Sequence, residues 1–246
     1  VTLRSAHGYS IISTATDTVT YTSGDLNFIP NDIAVSPDGT RLFISSSVTW
    51  DSFYEDWSYD YAYVFIFNAA TNAGIGQLPA DPGAGGLTVS PDGSRVFLAE
   101  SGVGVVLGFD PTSGNVSWSA GTNSGTENSV LSPDSSTLYA VTNDGHVTVV
   151  DVATASATDS VSISGWLTNI AISPDGAFLY VSKNTGTEVA VIATSDLSVK
   201  ANISVGNGPQ GIAMSADGTT AYVVNHQSGT VSVLSAAPPT TAPDAP

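Results

Sequence analysis

The densest set of chemically capable side chains lies at residues 50–63: Trp50, Asp51, Phe53, Tyr54, Glu55, Asp56, Trp57, Tyr59, Asp60, Tyr61 and Tyr63 give seven aromatic and four acidic residues among fourteen. Aromatic faces beside carboxylates suit stacking on sugar rings, with hydrogen bonds to the hydroxyls. They suit equally a protein interface anchored by Tyr and Trp. Asp51, Glu55, Asp56 and Asp60 supply oxygens for a Ca²⁺ ion but lack EF-hand spacing, so no metal is expected. Glu55 and Asp56 have the composition of a glycosidase acid pair, whose chemistry depends on a separation in space. The plainest alternative is a segment folded back on its own sheet, its aromatics forming a satellite core. We expect the residues from Trp50 to Tyr61 named above to form a binding element.

Other chemistry is sparse. There is no Gly-x-Ser-x-Gly elbow, phosphate loop or His-Glu-x-x-His motif. His7, His146 and His226 are far apart in sequence, and a His₃ zinc site would need all three at one centre. Scattered surface histidines are the expectation, with no catalytic set and no cofactor. The absence of Cys excludes disulfides, thiolate metal sites and Cys nucleophiles. Two sequons, Asn115-Val116-Ser117 and Asn202-Ile203-Ser204, make Asn115 and Asn202 candidate N-glycosylation sites if the protein is secreted.

The elements that must position these residues are set by a repeat. Ser36-Pro37-Asp38-Gly39 recurs as Ser90-Pro91-Asp92-Gly93, Ser132-Pro133-Asp134-Ser135, Ser173-Pro174-Asp175-Gly176 and Ser215-Ala216-Asp217-Gly218, at intervals of 54, 42, 41 and 42 residues. A fixed period in this range means one supersecondary unit stacked repeatedly. Pro presets φ, Asp bonds nearby backbone and Gly accepts a left-handed conformation, so each copy reads as a tight turn and its Asp as a turn former. β-branched and aromatic runs flank the turns. First strands are expected at 32–36, 87–90, 129–132, 167–173 and 211–215. Second strands fall at 41–45, 95–99, 137–141, 178–182 and 220–224, and third strands at 63–67, 105–109, 146–150, 188–193 and 230–234. Four-stranded antiparallel units of this length specify an all-β fold, a β-propeller of six to seven blades over residues 1–235. The long interval places the aromatic insertion between the second and third strands of one blade, on the face where blades connect.

The phrases Gly208-Pro209-Gln210-Gly211-Ile212-Ala213-Met214-Ser215, Phe178-Leu179-Tyr180-Val181-Ser182-Lys183-Asn184 and Gly229-Thr230-Val231-Ser232-Val233-Leu234 resemble the YVTN family of β-propeller repeats. That resemblance implies a surface-layer-type exported propeller and carries over no active site. Residues 1–13 align with 223–235, so the first blade is expected to lack its inner strand and the last its outer strand. Unpaired strand edges would then accept a strand from another chain. Residues 236–246, AAPPTTAPDAP, read as an extended linker or tail. The sequence opens at Val1 with neither an initiator Met nor a signal segment, as in a processed or excised portion of a longer protein.

Twenty-two acidic residues against 5 basic give a net charge of −17. Nucleic-acid partners are disfavoured, because such affinity rests on Lys and Arg neutralising phosphates. Anionic membranes are disfavoured likewise, and no apolar run is long enough for a membrane helix. The acidity suits a halophilic surface or simply a soluble exported protein. The functional expectation is a non-enzymatic scaffold at the surface of a bacterium or archaeon, or outside it, binding a protein partner or itself. The alternative is a glycan- or small-ligand-binding propeller, or a lyase- or hydrolase-type enzyme on the same fold.

Overall fold

The computed structural model describes the backbone of residues 2–3, 7–13, 15–51, 56–58, 62–81, 83–122 and 124–235, and the side chains of all of these except 47–51 and 56–58. The tail at 236–246 lies outside the described residues. Among the described residues every regular element is a β-strand. The strands form six antiparallel sheets, here blades 1 to 6, over residues 2–22, 28–80, 84–121, 126–162, 167–204 and 209–235. Blades 2 to 5 each carry four strands in meander order, blade 2 with an added short strand, and blades 1 and 6 carry three. From blade 2 onward each first strand lies beside the first strand of the next blade, which places these strands around a common axis.

The repeated turn is built as its residue types require. Ser36 Oγ donates to Asp38 Oδ1 at 2.5 Å, Thr40 N–H donates to the same oxygen at 3.0 Å, and Gly39 N–H closes on Ser36 O at 2.8 Å. The same serine–aspartate bond recurs at Asp92, Asp134, Asp175 and Asp217. These hydroxyls, then the backbone amides, hold the carboxyls of Asp38, Asp92 and Asp134 down at about 2. The turn aspartates are therefore ionised structural groups, as expected. Gly39, Gly93, Gly176 and Gly218 take φ between 69° and 74°, and Ser135 takes the same left-handed conformation at 60°.

Packing runs from blade to blade. In blades 2 to 5 the second and third strands present one face to the preceding blade and the other to the next. Tyr139, Val141 and Val147 of blade 4 close on Leu179, Val181, Ala190 and Ile192 of blade 5. Tyr180, Val189 and Val191 of blade 5 close on Ala221, Val223 and Leu234 of blade 6. The far face of blade 6 ends this succession: Tyr222, Val224, Val231 and Val233 are exposed. Tyr222 pairs across the sheet with Val233, and Val224 with Val231, so the four form one patch. At the other end, Ile12 and Val19 of blade 1 pair with each other and are also exposed.

The second and third strands fall close to their expected positions. Most first strands begin earlier than expected, at Phe28, Ala84, Thr126 and Pro209. Polar and glycine residues break the period-two pattern there, for a reason that lies in the backbone of the channel.

Candidate functional site

Every first strand from blade 2 to blade 6 carries a β-bulge at the same repeat position. In blade 2, Asn31 and Asp32 lie opposite Ser45 alone, because Pro30 pairs with Ser46 and Ile33 with Ile44. In blade 3, Gly85 and Gly86 oppose Ala99. Glu127, Thr168 and Gln210 are the unpaired residues of blades 4, 5 and 6. A bulge re-aims a side chain while the strand continues, which is why bulges gather at sites. Here the bulged residues converge on one end of the axis, opposite the Ser-Pro-Asp turns. They line a cavity of about 430 Å³ together with Asn128, Asn169, Ser101, Trp166 and Asn184.

Several bulge residues also stitch neighbouring blades. Asn31 Nδ2 donates to Ala84 O at 2.6 Å, Ser45 Oγ donates to Gly85 O at 2.6 Å, and Asp32 Oδ2 accepts the Leu87 N–H at 2.8 Å. Gly85 and Gly86 are required by this approach, since a Cβ on either would meet the Glu127 carbonyl or the Asn128 side chain. Burial pushes the Asp32 carboxyl up, against the pull of the Leu87 and Ile33 amides. Burial likewise pushes up Glu127, opposed by the hydrogen bond from Trp166. The side-chain amides of Asn169, Asn184 and Gln210 make no hydrogen bond to the described residues, leaving the cavity wall with open donors and acceptors.

One further carboxyl lies just behind this wall. Glu100, the last residue of its strand, is fully buried, and burial with Asp81 beside it pushes its pKa up to about 7, against the pull of the Asp81 amide. The Asp81 N–H donates to Oε1 at 2.9 Å, while Oε2 has no partner among the described residues. Four other blades place a buried polar residue at the same strand exit: Ser46, Thr142, Lys183 and Asn225. Thr142 accepts the His146 N–H and Lys183 reaches Glu188 and Asn202. The position is thus a recurring polar tie to neighbouring segments, and Glu100 is its acidic version, bound to the segment that precedes its blade.

The aromatic insertion rises from the same end of the ring. The second strand of blade 2 runs Arg41–Asp51, six residues past its expected end, and Asp56–Ser58 folds back on it. Trp50 pairs with Trp57 and Asp51 with Asp56 across this ladder. Part of the expected loop is therefore a β-hairpin that prolongs the blade. Phe53, Tyr54, Glu55, Tyr59, Asp60 and Tyr61 lie outside the described residues. The histidines stay in separate blades, His146 Nδ1 at 3.2 Å and His7 Nδ1 at 3.7 Å from the nearby Asp144 and Asp25. Among the described residues no cluster of three or more His, Asp or Glu forms a metal centre. Asn115 and Asn202 are both exposed, the latter accepting from Lys183 Nζ at 2.7 Å.

Sequence reasoning missed the channel ring. Its signal was present: counting five residues back from each turn serine gives Asn31, Gly85, Glu127, Thr168 and Gln210. None of these is apolar, in strands otherwise rich in Ile, Leu and Val.

Comparisons with known proteins bear on the fold. A family model described as Lactonase, 7-bladed beta-propeller, matches residues 134–243. The seven-bladed beta-propeller protein Rv1057 of Mycobacterium tuberculosis is 29% identical over 154 residues, 58% of this chain and 38% of that protein. The match thus spans well under half the length of this relative. Among solved structures, hydrazine synthase of Kuenenia stuttgartiensis superposes with a TM-score of 0.68 at 18% identity, covering 95% of this chain and 91% of the other. The β-propeller domain of Cps50 (Swd1) from Myceliophteria thermophila gives 0.68 at 14% identity, covering 97% and 70%. At these identities the two structures speak for the fold alone. The chain is a β-propeller.

Proposed function

We propose that this protein is a contact and assembly module, a non-enzymatic propeller working at the surface of a bacterial or archaeal cell or outside it, as the YVTN resemblance implies. The observation that carries the reading is the bare face of blade 6. Tyr222 and Val233 are 47% and 65% exposed, whereas Tyr180 and Val191, at the same positions of blade 5, are 3% and 4% exposed. A patch of this kind on a propeller edge marks an interaction surface. Its occupant is the opposite end of a second copy, where Ile12 and Val19 present the facing side of blade 1. Such a head-to-tail contact is heterologous and propagates unless its rotation closes a ring. The hairpin at Trp50 and Trp57 is the second contact element, for a protein or glycan partner.

Light scattering on the purified chain tests this. Mass that rises with concentration, and falls to a monomer in Val231→Asp/Val233→Asp, is the expected result. A monomer at all concentrations overturns assembly and favours a second reading, supported by the two seven-bladed comparisons, in which a seventh sheet covers these faces. Deleting residues 50–61, which spares the third strand beginning at Ala62, should leave the mass unchanged and abolish partner capture. The name of the matched family model supports the enzymatic alternative, and lactone hydrolysis by the purified chain would replace the present reading.

A further inference from the structure

We propose that the channel mouth is a binding site for a neutral saccharide, independent of the assembly face. Three properties of the cavity select that ligand class. The first is hydrogen-bonding character. Asn169, Asn184 and Gln210 bring amides that both donate and accept and that have no partner among the described residues, beside the acceptor carboxylate of Glu127. A sugar hydroxyl donates once and accepts twice, so a wall of mixed amides and a carboxylate complements it, where a wall of one kind would not.

The second property is charge. Among the described residues lining the cavity, the ionisable side chains are Asp32 and Glu127, with no Lys, Arg or His to receive a phosphate or carboxylate. An anionic sugar would meet two carboxyls and no cation. The third is Trp166, a large aromatic on the rim, 45% exposed and beside Glu127. A rim indole this exposed offers apolar surface to the C–H face of a pyranose. Aromatic contact plus a few convergent polar groups is the make-up of a small-ligand site, and 430 Å³ lies within the usual range of about 300–1,000 Å³.

The bulges explain why these groups stand where they do. A regular first strand would turn Glu127, Thr168 and Gln210 into the ladder. The extra residue in each turns them to the axis, so five blades each contribute to one small volume.

Ligand-observed NMR on the full chain tests the proposal, using glucose, N-acetylglucosamine, cellobiose and maltose as neutral probes. Glucose 6-phosphate serves as the anionic control and choline as the cationic one. Saturation transfer from the protein to at least one neutral sugar is expected, with Trp166→Ala weakening affinity roughly tenfold or more. Gln210→Ala, on an exposed strand position, should weaken it without altering the fold. The result that would overturn the proposal is tighter binding of the phosphate or of choline, binding that both variants retain, or no neutral sugar bound at millimolar concentration. Repeating the titration with Val231→Asp/Val233→Asp separates this site from the assembly reading, since sugar binding should survive loss of association.

Discussion

Blades 5 and 6 are built on the same repeat and have opposite fates at one face. Phe178-Leu179-Tyr180-Val181 and Thr220-Ala221-Tyr222-Val223 run through the same strand with the same pairing register. Tyr180, Val189 and Val191 are buried because blade 6 covers them, and Tyr222, Val231 and Val233 are bare because nothing described does. The difference teaches that a propeller blade is not a self-sufficient unit. Its two faces are apolar by construction, and each becomes core only when a neighbour arrives, as in other repeat architectures.

The sharpest way to break the comparison is to place a charge at equivalent positions. Val191→Asp buries a carboxylate with no partner and is expected to cost more than about 4 kcal/mol, enough to prevent folding. Val233→Asp should change the stability of the dilute monomer by about 0.5 kcal/mol or less. Urea denaturation of the two variants reads the contrast directly. A large loss from Val233→Asp would mean that the blade 6 face is covered in solution, and the two blades would then be equivalent after all.

This contrast also marks how far the sequence could be read. The turns were legible because Ser, Pro, Asp and Gly each act within four residues, so their chemistry is local. The second and third strands were legible from β-branched and aromatic runs. Coverage was not, since Tyr222, Val231 and Val233 are the same residue types as Tyr180, Val189 and Val191. Exposure belongs to the neighbour rather than to the strand. The channel site was hidden for a different reason. A bulge inserts one residue out of period, so Glu127 and Gln210 looked like the residues before a strand instead of residues within one. The hairpin was legible as an aromatic and acidic insertion but not as a ladder, because Trp50–Trp57 pairing depends on a register set in space.

A second prediction uses the strand exits, where Lys183 of blade 5 and Asn225 of blade 6 have an acidic counterpart in Glu100. The Glu100 carboxyl is raised from the ordinary 4.5 to about 7. Between those values the folded chain keeps a proton that the unfolded chain releases. Its contribution is therefore full below about pH 4.5 and lost as pH rises through about 7. Across that window the loss is on the order of 3 kcal/mol. Denaturation at about pH 5 and about pH 8 should show the decline in the native chain, and Glu100→Gln should reduce it, the remainder belonging to Asp32 and Glu127, whose carboxyls burial also raises. The turn aspartates do not confuse this reading. Their depressed carboxyls lose their contribution only when pH falls toward about 2. A decline that persists unchanged in Glu100→Gln would return this residue to the ordinary status of the other four exits.

The smallest effect concerns the turn itself, the feature that blades 5 and 6 share and blade 4 breaks. Gly176 and Gly218 hold φ of 74° and 71°, while Ser135 must hold 60° with a Cβ attached. Its serine–aspartate bond, Ser132 Oγ to Asp134 Oδ1 at 2.6 Å, is as short as in the other copies, so the surrounding turn imposes the left-handed conformation rather than relaxing it. A non-glycine residue there costs roughly 1 kcal/mol, part of which glycine returns as backbone entropy in the unfolded chain. Ser135→Gly is accordingly expected to stabilise the protein by about 0.5 kcal/mol. Gly176→Ser in blade 5 should destabilise it by a similar or larger amount, because its Cβ would also press on the Pro133 ring at 3.1 Å. Paired thermal denaturation separates the two contributions: Ser135→Gly reads the conformational term, and any excess loss in Gly176→Ser reads the contact with Pro133. Equal and opposite shifts would show that the Pro133 ring gives way and the turn contributes alike in both blades, and a null result at Ser135 would show that blade 4 has accommodated its serine elsewhere.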